Sequence, residues 1–275
     1  MLMDLGMRNG EAFDIAFETH PGLVRAHNED RISSDAEIGL AVLADGMGGY
    51  KAGEVASGIA VSLIASASKR ELKKPTSTVE AEAVELLQKT IADANTSIYY
   101  VANRQPQFAG MGTTLVTTLF YDNCVSVAHI GDSRLYRLRS DELERLTRDH
   151  SLLQEQLDSG TVAAKDAKSS RNKSLLTRAL GIDSEVEPEI HTYPVKLGDI
   201  YLLCSDGLND MVEDDEIQLT LVSLQANLRM AAAQLVQLAN DNGGRDNISV
   251  ILMKVIKDFA ASRGIVDRCV SWLKH

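Results

Sequence analysis

The chain is short of cysteine, of basic charge and of long apolar runs, and each shortage removes a class of function. Its 275 residues contain three cysteines, Cys124, Cys204 and Cys269. They are too few and too far apart for a disulfide framework or a structural zinc site. None is followed six positions later by arginine, so the cradle a cysteine-dependent phosphatase wraps around phosphate is absent. Cys124 and Cys204 lie inside apolar, strand-like runs and are read as small buried hydrophobes. Basic residues number 28 against 39 acidic ones, a net charge of −11. Nonspecific nucleic-acid binding needs basic surface to neutralise phosphates, so no nucleic-acid partner is expected. No segment approaches the roughly 20 apolar residues of a membrane-spanning helix, and Met1 to Asn9 has no long apolar core. A reducing, cytoplasmic setting without a membrane span fits best. No Pro/Ser-rich linker or low-complexity tract divides the sequence, and a hydrophobic content of 44% supports one sizeable core.

Four short acidic-glycine stretches dominate what is present. They are Arg25-Ala26-His27-Asn28-Glu29-Asp30, Asp45-Gly46-Met47-Gly48-Gly49, Ser205-Asp206-Gly207 and Gly243-Gly244-Arg245-Asp246-Asn247. Each sets a carboxylate beside small residues at the edge of an apolar run. Singly, an Asp next to Gly is more often only a turn. As a set they suit hard divalent cations, which take oxygen ligands gathered from several places in a chain.

The periodicity around them is mixed. Ala12 to Glu18 alternates as a half-buried strand does, and Ile38 to Ala44 reads as a buried strand ending at Asp45. Ala52 to about Lys69 reads as a helix, followed by a second with one apolar stripe through Val79, Ala83, Leu86, Leu87, Ile91, Ala94, Ile98 and Val101. Strands are expected over Thr113 to Tyr121, Cys124 to Ile130, Leu135 to Leu138, Leu143 to Leu146, Ile200 to Cys204 and Ile248 to Val255. Asp122-Asn123 and Asp141-Glu142 supply the turns, and Met230 to Leu238 is helical. Hairpins rather than strict strand–helix alternation point to an α+β protein, a largely antiparallel sheet core covered by helices. Thr147 to Gly181 is polar and poor in apolar residues, as a surface excursion or flap would be.

Scattered carboxylates of this kind suit phosphate-ester hydrolysis at a two-metal site. Two cations there lower the pKa of a water and neutralise phosphoryl charge. An arginine fork should grip the phosphate, and Arg25, just ahead of Asn28-Glu29-Asp30, is the candidate. No nucleophilic serine or cysteine is required. His27 and His150 titrate in the right range for acid–base work, but surface or capping roles are the plainer reading. For Thr113 and Thr114, filling of a strand is the plainer reading than phosphate contact.

The ordered set of motifs resembles the metal-dependent PPM or PP2C-type serine/threonine phosphatases in their bacterial form. The matching stretches are Gly22 to Asp30, Ala44 to Gly49, Gly110 to Leu115, His129 to Arg134, Leu146 to Ser151, Arg178 to Gly181, Ser205 to Leu208 and Arg245 to Val250. Any one is weak; in order, across roughly residues 12 to 255, they are specific. The resemblance implies a sandwich of two antiparallel sheets flanked by helices and two Mn²⁺ or Mg²⁺ ions. Asp45 would bridge the ions, with the backbone carbonyl of Gly46 on the second and Asp206 and Asp246 on the first. Glu29 and Asp30 would hold metal-bound waters, though neighbours on a strand point opposite ways. Asp132 with Asp206 would form a third, weaker metal site. A bridging hydroxide would then attack phosphorus in line.

It further implies phosphoserine and phosphothreonine proteins as substrates, an opposing bacterial serine/threonine kinase as partner, and a monomer. A phosphatase domain over 12–257 would carry a flap within 147–181, a flexible N-terminus over 1–11 and an amphipathic extension over 258–275. Two departures stand out. Met47 replaces the histidine that eukaryotic members carry after Asp-Gly, leaving a metal-bound water as the proton donor. Ser169-Ser170 precedes Arg171-Asn172 where relatives often have His-Pro. A non-catalytic binding module on the same fold is the rival, but the acidic set is complete. Calcineurin-like signatures are absent.

Overall fold

Strands whose two faces are both covered carry apolar residues without interruption, and that pattern builds the centre of this molecule. The computed structural model describes residues 11–49, 51–72, 79–163 and 175–260. One sheet joins β1 (Phe13–His20), β11 (Ile248–Val255), β10 (Ile200–Cys204), β7 (Arg134–Arg139) and β8 (Glu142–Arg145), in that spatial order. The other runs β2 (Asp30–Asp35), β3 (Leu40–Met47), β5 (Leu115–Tyr121), β6 (Cys124–Ile130) and β9 (Glu189–Pro194), with the short β4 (Gly112–Thr113) beside β3. Every pairing is antiparallel.

Alternation along each strand divides the apolar residues among three cores. Ala41 and Leu43 of β3, Tyr201 and Leu203 of β10, and Ile251 and Met253 of β11 meet between the sheets. Leu40, Val42 and Ala44 face outward, under α1 (Ala52–Glu71) and α2 (Glu80–Arg104). On the far side, Leu202, Val250 and Leu252 lie under α5 (Asp214–Leu224) and α6 (Leu228–Asp241). The result is a four-layer helix–sheet–sheet–helix sandwich. Phe259 fills the inter-sheet core against Phe13 and Phe120, with ring centroids 5.1 and 6.3 Å away. The packed domain therefore extends past residue 257.

Most expected elements are present, with instructive shifts. β3 does not stop at Ala44: it continues through Asp45, Gly46 and Met47, because β4 pairs with Gly46 and Met47. Asp122 and Asn123 both have positive φ, as a two-residue hairpin between right-twisted strands requires. The next hairpin turns at Ser140-Asp141 rather than Asp141-Glu142, since those two carry the left-handed φ values and Glu142 already pairs with Arg139. β2 and β9 were hidden in the sequence. Both are edge strands, and most of their residues are only half-buried, so neither shows a strong apolar pattern. In the α2 stripe Ala83, Leu87, Ile91, Ala94 and Ile98 are buried, whereas Val79 precedes the helix and is exposed. The expected flap contains α3 (Leu152–Asp158) and is tied back by bridges between Ser151 and Leu176 and between Thr113 and Leu180. Ser169 to Asn172, residues 1–10 and most of the C-terminal extension, with Cys269, lie outside the described residues.

The approach of α1 to β3 leaves no room for a side chain. A Cβ on Gly53 would meet the carbonyl carbon and oxygen of Gly46 at 2.6 Å and the Met47 nitrogen at 2.8 Å. Only backbone fits there, and the backbone in question carries Asp45. Gly53→Ala is expected to cost about 1–3 kcal/mol through overpacking, read as a lower urea midpoint at unchanged m value.

Candidate metal centre

Five aspartates reach one end of the sandwich from both sheets. Asp30 opens β2 and lies directly opposite Asp45 of β3 in the antiparallel register. Asp132 sits in the β6–β7 turn, Asp206 opens the short helix α4 (Asp206–Asn209) just after β10, and Asp246 precedes β11. Because β7, β10 and β11 are neighbours, with Cys204 paired to both Arg134 and Val250, those last three emerge at the same edge.

The charges feel one another. Burial, then the carboxylates of Asp30, Asp206, Asp132 and Asp246, hold Asp45 well above the ordinary carboxylate range. Burial followed by Asp132, Asp210 and Asp246 does the same to Asp206. Asp30 is pushed up to about 6, chiefly by burial, and Asp132 to about 7 by burial and then Asp149. Asp30 Oδ1 and Asp206 Oδ1 are buried without a hydrogen-bond partner. Buried carboxylate oxygens left unpaired are costly. An all-oxygen set of mutually repelling carboxylates with two orphaned oxygens fits hard divalent cations.

The backbone beneath these groups is pinned. Thr114 Oγ1 accepts from the Asp45 N–H at 3.1 Å, and Thr113 Oγ1 donates to the Asp45 carbonyl at 2.8 Å. The two threonines therefore hold a site residue as well as filling the strand. Thr114 Oγ1 is in turn 2.7 Å from Ser133 Oγ, beside Asp132. Ser205 Oγ donates to Asp30 Oδ2 at 2.8 Å, joining the two sheets, and accepts from the Ser249 N–H. Asn247 is 4% exposed. Its Oδ1 accepts from the Glu29 N–H at 2.7 Å, and its Nδ2 donates to the carbonyls of Pro21 and His27. The only sequence sign of these supporting roles is adjacency to a motif aspartate.

Glu29 and Arg25 stand at the rim. Glu29 is half-buried and raised by burial, and feels Arg25 and Asp246, whereas Asp30 turns inward to Asp45. The two neighbours thus point apart, as strand geometry demands. Arg25 is exposed and donates from Nη2 to Asp246 Oδ2 at 2.7 Å. That bond, with Asp206 and Asp45 nearby, raises its pKa. Gly46 is buried within β3 beside Asp45. His27 is exposed, outside the cluster.

His150 departs from expectation. It is 8% exposed, stacked on His129 with centroids 4.7 Å apart and an interplanar angle of 22°. With Glu189 these residues form the only trio of possible metal ligands among the described residues whose ligand atoms all lie within 4.8 Å. Near-parallel rings aim their in-plane lone pairs side by side rather than at one point. The Gly131 N–H also donates to His150 Nδ1 at 3.2 Å, which leaves the proton on Nε2, facing Glu189 at 3.3 Å. His129 Nε2 donates to the Arg148 carbonyl at 2.8 Å. The trio is a clamp between the β6–β7 turn and the segment leading into α3. Burial lowers both imidazole pKa values, so both rings are neutral at neutral pH. Beside it, Arg134 grips Asp149 through Nε and Nη2 at 3.0 and 2.6 Å. Of the cysteines, Cys204 is buried, its thiol pushed up to about 12, while Cys124 is half-buried rather than fully enclosed.

Comparison with known proteins agrees with this fold. The family model described as protein phosphatase 2C matches residues 24–252. A serine/threonine phosphatase Stp of Listeria innocua is 40% identical over 242 residues, covering 86% of this chain and 94% of that relative. The serine/threonine protein phosphatase PstP of Mycobacterium tuberculosis is 39% identical over 252 residues, covering 91% of this chain but 46% of PstP. The crystal structure of the PstP catalytic domain in complex with two manganese ions superposes with a TM-score of 0.79 at 37% identity, covering 90% of this chain and 99% of that one. Stp1 of Staphylococcus aureus gives 0.82 at 33% identity, over 94% and 99%.

Raised carboxylate pKa values mean that the folded state holds more protons than the unfolded one between the two pKa ranges. The repulsion is therefore full above the folded pKa values and disappears as pH falls toward 4. In chelator at about pH 7.5, Asp206→Asn is expected to melt above the wild type, each kcal/mol relieved corresponding to about 2–4 °C. The gap should close by about pH 4, and added Mn²⁺ should stabilise only the wild type strongly. Thermal melts across pH, with and without metal, check this.

Proposed function

The chain belongs to the protein phosphatase 2C family, and from that membership we propose that it hydrolyses phosphoserine and phosphothreonine in proteins at a Mn²⁺- or Mg²⁺-loaded centre. The observation that carries the reading is the convergence of five aspartates from two sheets, with buried oxygens of Asp30 and Asp206 left unpaired. In this proposal Asp45, Gly46, Asp206 and Asp246 hold two cations, Glu29 and Asp30 act through water, and Asp132 with Asp206 holds a third. Asp132 is the foremost neighbouring charge raising Asp206, which supports that last assignment. Such cations supply a hydroxide nucleophile at neutral pH and neutralise phosphoryl charge.

The protein's own groups supply binding and exclusion. Arg25, exposed at the rim, exchanges its bond to Asp246 for two phosphoryl oxygens, which its planar fork matches. Ser205 and the two threonines keep Asp30 and Asp45 from separating under their own repulsion. Among the described residues no side chain stands out as proton donor. Met47 follows Gly46, His27 is exposed and His150 is locked in its clamp. Water therefore protonates the leaving alkoxide.

An opposing serine/threonine kinase is part of the proposal, since such a hydrolase needs something to supply phosphorylated protein. One chain gathers the whole acidic set, which supports action as a monomer. Free Cys124 and Cys204 suit a reducing, cytoplasmic setting. Among the described residues no helix is long and apolar enough to cross a membrane.

Hydrolysis of a phosphothreonine peptide is expected with Mn²⁺ and to vanish in chelator or in Asp206→Asn. Arg25→Ala should lose about 10²-fold in kcat/KM through the lost phosphate contact. A folded sample with no turnover in either metal would leave a phosphoprotein-binding module as the better account.

A further inference from the structure

β1 ends at His20 and β2 begins at Asp30, and the loop between them carries Arg25. Residues 23–27 of that loop are all exposed, so no core holds them. Asn247 closes the loop instead. Its Nδ2 donates to the Pro21 carbonyl at 3.0 Å, where the loop begins, and to the His27 carbonyl at 2.9 Å, where it returns. Its Oδ1 accepts from the Glu29 N–H at 2.7 Å. Two partners that only accept and one that only donates demand an amide; a carboxylate has no hydrogen to give the carbonyls. Among the described residues, the other hydrogen bonds reaching residues 22–27 are few. They run from the Gly22 N–H to His20 Nδ1, from the Leu23 N–H to the Gly244 carbonyl, and from Arg25 to Asp246.

We propose that Asn247 is a positioning residue for Arg25: by drawing Pro21 and His27 onto one side chain, it fixes the loop so that the guanidinium stands beside Asp246. The inference rests on the phosphatase reading above, in which Arg25 grips the phosphoryl group. Asn247 is itself a fixed post. Its N–H donates to Asp246 Oδ1 at 2.9 Å, and a Cβ on Gly207 would come within 2.0 Å of its carbonyl oxygen. The loop also lies flat against this segment, since a Cβ on Gly22 would meet the Asp246 carbonyl oxygen at 2.2 Å. Beyond the loop, other contacts take over. The Glu29 carbonyl accepts from Ser57 Oγ, and Asp30 is held in the β2–β3 ladder. Loss of the Asn247 amide therefore falls on the stretch that carries Arg25. A misplacement of about 1 Å in a binding group can cost about 10²-fold in rate.

The test is a double-mutant cycle of Asn247→Ala and Arg25→Ala at saturating Mn²⁺. It reads kcat/KM for p-nitrophenyl phosphate and the inhibition constant of inorganic phosphate. In the wild-type background Asn247→Ala is expected to lower kcat/KM about tenfold and to weaken phosphate inhibition by a similar factor. The Mn²⁺ concentration for half-maximal rate should move less than about twofold, because the metal ligands stay in place. In the Arg25→Ala background the same substitution changes kcat/KM by about twofold or less. Asn247→Ser goes through the same cycle and stands in if the alanine variant does not fold. Equal losses in the two backgrounds overturn the inference, since Asn247 then acts without Arg25. A raised Mn²⁺ requirement with unchanged phosphate inhibition also overturns it and assigns Asn247 to Asp246 alone. In either case Mn²⁺-dependent turnover by the wild type leaves the phosphatase reading standing. Absence of that turnover sinks both.

Discussion

Asp30 and Asp45 face each other across paired strands, and Asp206, Asp132 and Asp246 press in from the other sheet. Like charges in a partly dry pocket repel far more strongly than in water. A chain left to local forces would spread them. Much of the architecture at this end of the sandwich opposes that spreading. Ser205 bonds one sheet to Asp30 of the other, Thr113 and Thr114 fix the Asp45 backbone, and α1 closes on Gly46 so tightly that Gly53 has no room for a side chain. The stored repulsion becomes affinity when cations arrive, which is why a destabilising cluster is compatible with a stable domain.

The same end of the molecule separates rigid from yielding parts. The aspartates sit on strand ends and tight turns held by buried bonds, and Asn247 ties three points of the β1–β2 loop to one side chain. Arg25, by contrast, is exposed and, among the described residues, bonded to one partner, Asp246. In the proposed phosphate-binding role, an exposed, exchangeable cation at the rim suits a ligand that is admitted and released better than a buried one. The stacked histidines and the Arg134–Asp149 pair then anchor the start of α3 to the Asp132 turn. That helix and the acidic centre are thereby mechanically connected.

Much of this was legible in the residues. Runs such as Ile200 to Cys204 and Ile248 to Val255 are apolar on both faces, so strands buried on both sides announce themselves. The acidic-glycine stretches marked the site, because aspartate beside glycine at a strand end is both a turn and a ligand pattern. The edge strands β2 and β9 were not legible, since half-buried edges need no apolar alternation. Nor were the ends of β3 or the second hairpin, where pairing with a distant segment or one left-handed residue shifts a boundary. His150 misled for a related reason: an imidazole in a polar stretch looks solvated until His129, from a strand far away in sequence, stacks on it.

By itself, then, the sequence determined the residue types, the order of the motifs and the alternation that assigns each strand face to a core. These are local properties, set by side-chain chemistry and a two-residue repeat. Which carboxylates meet was decided only in three dimensions. Asp30 joins Asp45 through strand register, Asp206 and Asp246 join them through sheet packing, and Glu29, one residue from Asp30, turns to the rim instead. The pKa shifts and orphaned oxygens that make the site fit a cation arise from burial and mutual field. No linear pattern encodes those quantities, because they depend on how closely distant segments approach.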